Sequence, residues 1–83
     1  MRINLVANPK REDTVAAAKR CVEWLHKHGV AVGAEADMAP ALGVEQLGPD
    51  QIGNANLVVC FGGDGTLIRA AHMCSERGTP ILG

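Results

Sequence analysis

The most constraining feature of this 83-residue chain is a junction. The apolar run Leu57-Val58-Val59-Cys60-Phe61 passes without a break into Gly62-Gly63-Asp64-Gly65-Thr66, and that turn passes into a helical pattern. A continuous apolar run of this length fits a parallel strand covered on both faces. Beyond the turn, Leu67, Ala70, Ala71 and Cys74 recur at i, i+3, i+4 and i+7, the spacing of one helix face, and Gly78 provides a stop. Thr79–Gly83 then begins another strand.

The first half of the chain has the same order. Ile3–Ala7 is rich in strand formers and ends at Asn8-Pro9, which suits a turn. Asp13-Thr14 offers a helix N-cap. Val15, Ala18, Val22 and Leu25 form an apolar stripe opposite Lys19, Arg20, Glu23 and Lys27, and Gly29 is placed to end the helix. Val30–Glu35 is a second strand candidate, weakened by Gly33. Residues 36–54 are punctuated by Gly43, Gly48, Pro49 and Gly53. One or two helical turns are expected there, the second opened by Gly48-Pro49. Strand–helix–strand twice over predicts an α/β fold, a Rossmann-like parallel sheet with alternating helices and right-handed crossovers. Ligands of such sheets sit beyond the carboxyl ends of the strands, where the glycine turn falls.

Composition narrows the function classes. The chain is 47% hydrophobic and has eight basic against nine acidic residues, which gives no electrostatic reason to expect nucleic acid or an anionic membrane as a partner. Trp24 and Phe61 are the only aromatics, too few for a base-stacking surface. Neither a signal peptide nor a membrane span is legible. Cys21, Cys60 and Cys74 form no C-x-x-C pair, and His26, His28 and His72 do not join them at zinc spacing, so no metal ligands are assigned. Reduced thiols in a cytoplasmic protein are the expectation.

The glycine turn carries the chemistry. Three glycines in four residues let the backbone take positive φ and let a ligand approach without a Cβ in the way. The turn feeds a helix N-terminus, whose unpaired N–H groups and dipole favour phosphate. Thr66 is placed to cap that helix or to touch a phosphate. Asp64 repels phosphate, so its place amid the glycines suits a hydroxyl, a metal-bound phosphate or a ribose. A tight turn with a local Asp64 hydrogen bond is the structural alternative. The motif is not a P-loop, because no lysine follows the glycines. Nor is it the dinucleotide fingerprint, which needs glycine or alanine where Ile68 stands.

The stretch FGGDGTLIRAAH, preceded by ANLVV and followed by GTPILG, resembles the amino-terminal part of the NAD kinases, and the opening VANPKREDTVAAAKRCVEWLHKHGV is similar to that family's first strand and helix. GGDGT alone is shared with diacylglycerol and sphingoid lipid kinases and, more loosely, with phosphofructokinases. LIRAA and GTPILG favour NAD kinase.

The resemblance implies transfer of the ATP γ-phosphoryl group to the 2′-hydroxyl of the adenosine ribose of NAD, with Mg²⁺ or another divalent cation on the ATP phosphates. It implies Asp64 as acceptor of the hydroxyl proton, and Asp64, Gly65 and Arg69 as dinucleotide contacts. It places Gly62 and Gly63 on the nucleotide-phosphate side, beside Thr66. Arg69 also reads as a solvated helix charge. Asn8, Lys10 and Arg11 read as a charged loop at a strand's carboxyl end, and His72 as a surface histidine. The family further implies a homo-oligomer at full length, a second glycine-rich segment, an Asn-Glu/Asp pair and a β-rich carboxy-terminal domain. The last three are not among the 83 residues. Residues 1–83 are therefore expected to be a truncated amino-terminal α/β domain, inactive and aggregation-prone alone. A lipid kinase head and a non-catalytic nucleotide-binding module are the other readings.

Overall fold

In the computed structural model, which describes residues 1–83, strand β1 (Arg2–Ala7) is followed by helix α1 (Glu12–Lys27) and strand β2 (Ala31–Glu35). A short helix α2 (Ala39–Leu42) leads to strand β3 (Glu45–Leu47). Strand β4 (Leu57–Phe61), helix α3 (Asp64–Cys74) and strand β5 (Ile81–Leu82) complete the order. One sheet holds all five strands, in the order β3-β2-β1-β4-β5, and every pairing is parallel. The expected Rossmann-like α/β class is what the chain adopts.

Alternation along the central strands divides the core in two. Leu5 and Ala7 of β1 face α1 and α2, and join Ala18, Val22, Leu25, Val32, Ala34, Met38, Ala39 and Leu42. Val6 of β1 faces the other way, with Val58 and Cys60 of β4, Ala70 and Cys74 of α3, and Ile52. The run at 57–61 is thus covered on both faces, as a central parallel strand requires. Asn4 also faces the second side. It is fully buried, donates through Nδ2 to the Ile52 carbonyl at 2.8 Å and accepts from Arg2 through Oδ1.

Several local expectations are corrected. Helix α1 starts from Arg11, not from a cap at Asp13-Thr14. Glu12 and Asp13 occupy its first turn, where carboxylates meet the positive end of the helix dipole. Thr14 is more deeply buried than Val15, which is half-buried. Gly33 does not weaken β2; a Cβ there would meet Leu47 Cδ1 at 2.5 Å, so the missing side chain admits β3's leucine. Between residues 36 and 54 there is one helical turn and a strand. Gly48-Pro49 opens no helix, because the Gln51 amide donates to the Gly48 carbonyl and the Gln51 side chain accepts from the Gly48 amide, which closes a turn. On α3 the buried line is Ala70 and Cys74; Leu67 and Ala71 are exposed.

Candidate functional site

The connections after β1 and β4 leave the sheet in opposite directions. Helix α1 packs on one face and α3 on the other. A crevice therefore opens between the carboxyl ends of these adjacent strands, the place where ligands of open parallel sheets bind. The Asn8 amide donates to the Phe61 carbonyl at 3.1 Å and ties the two loops at its base.

The crevice encloses about 410 Å³ and no hydrophobic side chain lines it. Asn8, Pro9 and Lys10 form one wall, Gly65, Thr66 and Arg69 the other, and Asp37 closes the end beyond β2. A neighbouring hollow of about 370 Å³ runs from Glu35 to Pro49 along the ends of β2 and β3, with no cation among its lining residues. An anion finds Lys10 and Arg69 only in the first.

The glycine turn sets the start of α3. Gly63 is the N-cap, in extended conformation, and no side chain caps the helix. Thr66 is not the cap: its side chain packs over Gly62, where a Cβ would lie 2.6 Å from Thr66 Oγ1. Gly62, at φ 151°, is the one glycine of the turn with positive φ; Gly63 and Gly65 are without it and stand in open space. The Thr66 and Leu67 amides turn back to the Gly63 carbonyl. The Asp64 and Gly65 amides lie ahead of that first turn, with no carbonyl of their own helix to reach. Asp64 is exposed at the first helical position, at the tip beside the crevice. The structure thus gathers Gly65, Thr66 and Arg69 in the crevice wall and leaves Gly62, Gly63 and Asp64 outside its lining.

Arg69 is neither free nor simply solvated. Its NH2 nitrogen donates to the Ala7 carbonyl at 3.4 Å and lies 3.2 Å from Glu35 Oε1, while NH1 lies 3.9 Å from Asp37 Oδ2. Burial pushes the Glu35 carboxyl above the usual range, the Arg69 charge opposes that shift, and Asp37 adds to it. Arg11, by contrast, spends its guanidinium on Asp13 at the surface. Sequence reasoning set Lys10 aside as part of a charged loop and passed over Glu35 and Asp37. The signal within reach was their position, at or just past the ends of β1 and β2. No three His, Cys, Asp or Glu side chains gather in a group that could hold a metal ion.

A family model described as the ATP-NAD kinase N-terminal domain matches residues 3–83. The chain belongs to this family. A protein named NAD kinase from Moorella thermoacetica is 36% identical over 84 residues, which cover 99% of this chain and 27% of that protein. NAD kinases of Syntrophotalea carbinolica and Rhodococcus erythropolis are 35% and 31% identical, covering 99% and 98% of the chain and 30% and 31% of their own lengths. The chain spans less than a third of the length of those relatives. No helix is long and apolar enough to cross a membrane.

Proposed function

We propose that this domain supplies the phosphate crevice and the proton acceptor of an NAD kinase. In the reaction, the 2′-hydroxyl of the adenosine ribose of NAD attacks the γ-phosphorus of ATP. The new O–P bond forms as the bond to the β,γ-bridging oxygen breaks, and ADP leaves. Asp64, exposed at the first helical position, takes the hydroxyl proton. The crevice beside it, with Lys10, Arg69 and the amides at the start of α3, holds phosphate oxygens.

Positioning and charge neutralisation dominate such a transfer, because its transition state is loose. Asp64 therefore serves mainly by orienting the hydroxyl and accepts the proton late. A divalent cation, where one takes part, arrives on the ATP phosphates. Its chemistry would be neutralisation of their charge.

One observation carries this reading: the GGDGT turn opens α3 at the switch point of the sheet, facing a crevice whose cations are Lys10 and Arg69. The test grafts residues 3–83 into the matching segment of a full-length relative, such as the Moorella thermoacetica protein. Asp64→Asn in that chimera is expected to lower kcat about 100-fold or more, the scale of a lost general base, with little change in NAD affinity. Equal turnover with and without Asp64 would remove the assignment.

A further inference from the structure

Arg69 stands about a turn and a half into α3, yet its guanidinium reaches the ends of two strands. The NH2 nitrogen is committed to the Ala7 carbonyl of β1 and to Glu35 Oε1 of β2. Asp37, at 3.9 Å from NH1, is beyond hydrogen-bond reach. A guanidinium has five N–H donors, so with NH2 engaged the NH1 and Nε donors are left, and Arg69 lines the crevice.

Glu35 is constrained in the same way. Its side chain is 16% exposed, and Oε1 is shielded from solvent with no hydrogen-bond partner in the chain. The Arg69 charge is what compensates that oxygen. A shielded carboxylate with one cationic neighbour holds that neighbour where it is, because separation would leave the charge unpaired.

We propose that Glu35 is a positioning residue, which presets Arg69 across the ends of β1 and β2 so that its uncommitted N–H donors meet an anionic phosphate entering the crevice. This rests on the nucleotide reading above. Binding normally has to immobilise a long arginine side chain at the cost of its rotamer freedom, and a side chain already held escapes that cost. Glu35 also lowers the positive potential of the crevice, so its removal has two opposed effects on an anion. The preset geometry outweighs the lost repulsion, because the NH1 and Nε donors stay uncommitted.

The probe is inorganic tripolyphosphate, titrated by calorimetry into the chimera that carries residues 3–83 and into its variants. Glu35→Ala is expected to weaken binding about two- to tenfold, the range for freezing one such side chain at an interface. Glu35→Gln, which keeps an acceptor oxygen at the same reach, is expected to fall between Glu35→Ala and the wild type. In an Arg69→Ala background, Glu35→Ala should weaken nothing further. A second measurement needs no variant: nuclear relaxation of the Arg69 Nε–H group in the ligand-free wild type should report a rigid side chain. Unchanged or tighter binding by Glu35→Ala, equal weakening in the Arg69→Ala background, or a mobile Arg69 Nε–H would each overturn the proposal. A wild-type chimera that binds no tripolyphosphate would overturn the nucleotide reading and this inference with it.

Discussion

Gly62 shows how much of this site is decided by single atoms. It has φ 151°, and a Cβ there would stand 2.6 Å from Thr66 Oγ1 and 3.0 Å from Thr66 Cβ. Gly62→Ala is therefore expected to cost about 1–3 kcal/mol in urea denaturation, the scale of a sparsely populated backbone conformation. Thr66→Ala should return part of that loss, since it removes the Oγ1 contact but leaves the Cβ at 3.0 Å and the backbone strain. Full recovery would mean that the backbone angle costs nothing. Asn4, midway along β1, carries a comparable load. Its Nδ2 satisfies the Ile52 carbonyl in a fully buried position. Asn4→Ala leaves that carbonyl unpaired and is expected to cost about 1–3 kcal/mol. Denaturation midpoints equal to wild type would show that water reaches the site.

Legibility followed how each element gains its stability. The strand at 57–61 was readable because five consecutive apolar residues are what a two-sided position in the sheet demands, and β4 has those bounds. Strand β3 was not readable. Glu45 and Gln46 are exposed, and the strand exists through pairing with Gly33–Glu35, through Leu47 seated over Gly33, and through the Arg2–Glu45 ion pair. Those partners lie far off in sequence. Helix α2 did have local signals, Pro40 in its first turn and Gly43 in the left-handed region at its end, but Gly48-Pro49 offered a rival that formed only a turn. In the site, the glycine turn was legible as a motif. The crevice was not, because Lys10, Asp37 and Arg69 meet only once β1, β2 and α3 are arranged around it. The face of α3 was half legible: of the expected line, Ala70 and Cys74 are buried, while Leu67 and Ala71 are exposed. The structure chooses Ala70 and Cys74, with Met73 packed against them. Ala70→Leu is thus expected to overpack the face by about 1–3 kcal/mol. Leu67→Gln, on an exposed side chain, should stay within about 0.5 kcal/mol. Equal losses at both positions would contradict this orientation.

At the scale of the whole molecule, stability is drawn from two unequal cores, ten buried residues on the α1 side of the sheet and six on the α3 side. A chain of this length has about 4–12 kcal/mol to unfold, so a single shielded charge is a visible fraction of the total. Glu35 is that charge, and its pH dependence has a definite sign. Burial raises its pKa in the folded state, against the nearby Arg69 and with the help of Asp37. Between the ordinary glutamate value and the raised one, the folded chain therefore keeps a proton that the unfolded chain has lost. The Glu35 contribution is most favourable below that window and is lost as pH rises through it. Asp13 works the other way, because the Arg11 hydrogen bond lowers its pKa; its contribution is present above the ordinary aspartate value and fades as pH falls. Glu35→Gln removes the first effect and leaves the second. Urea denaturation of both proteins from about pH 4 to about pH 7, a range that spans the ordinary carboxylate values and their upward shifts, isolates it. The variant is expected to gain on the wild type as pH rises. A gap that is constant with pH would mean that Glu35 titrates alike in the folded and unfolded chains, with the Arg69 charge fully offsetting its burial.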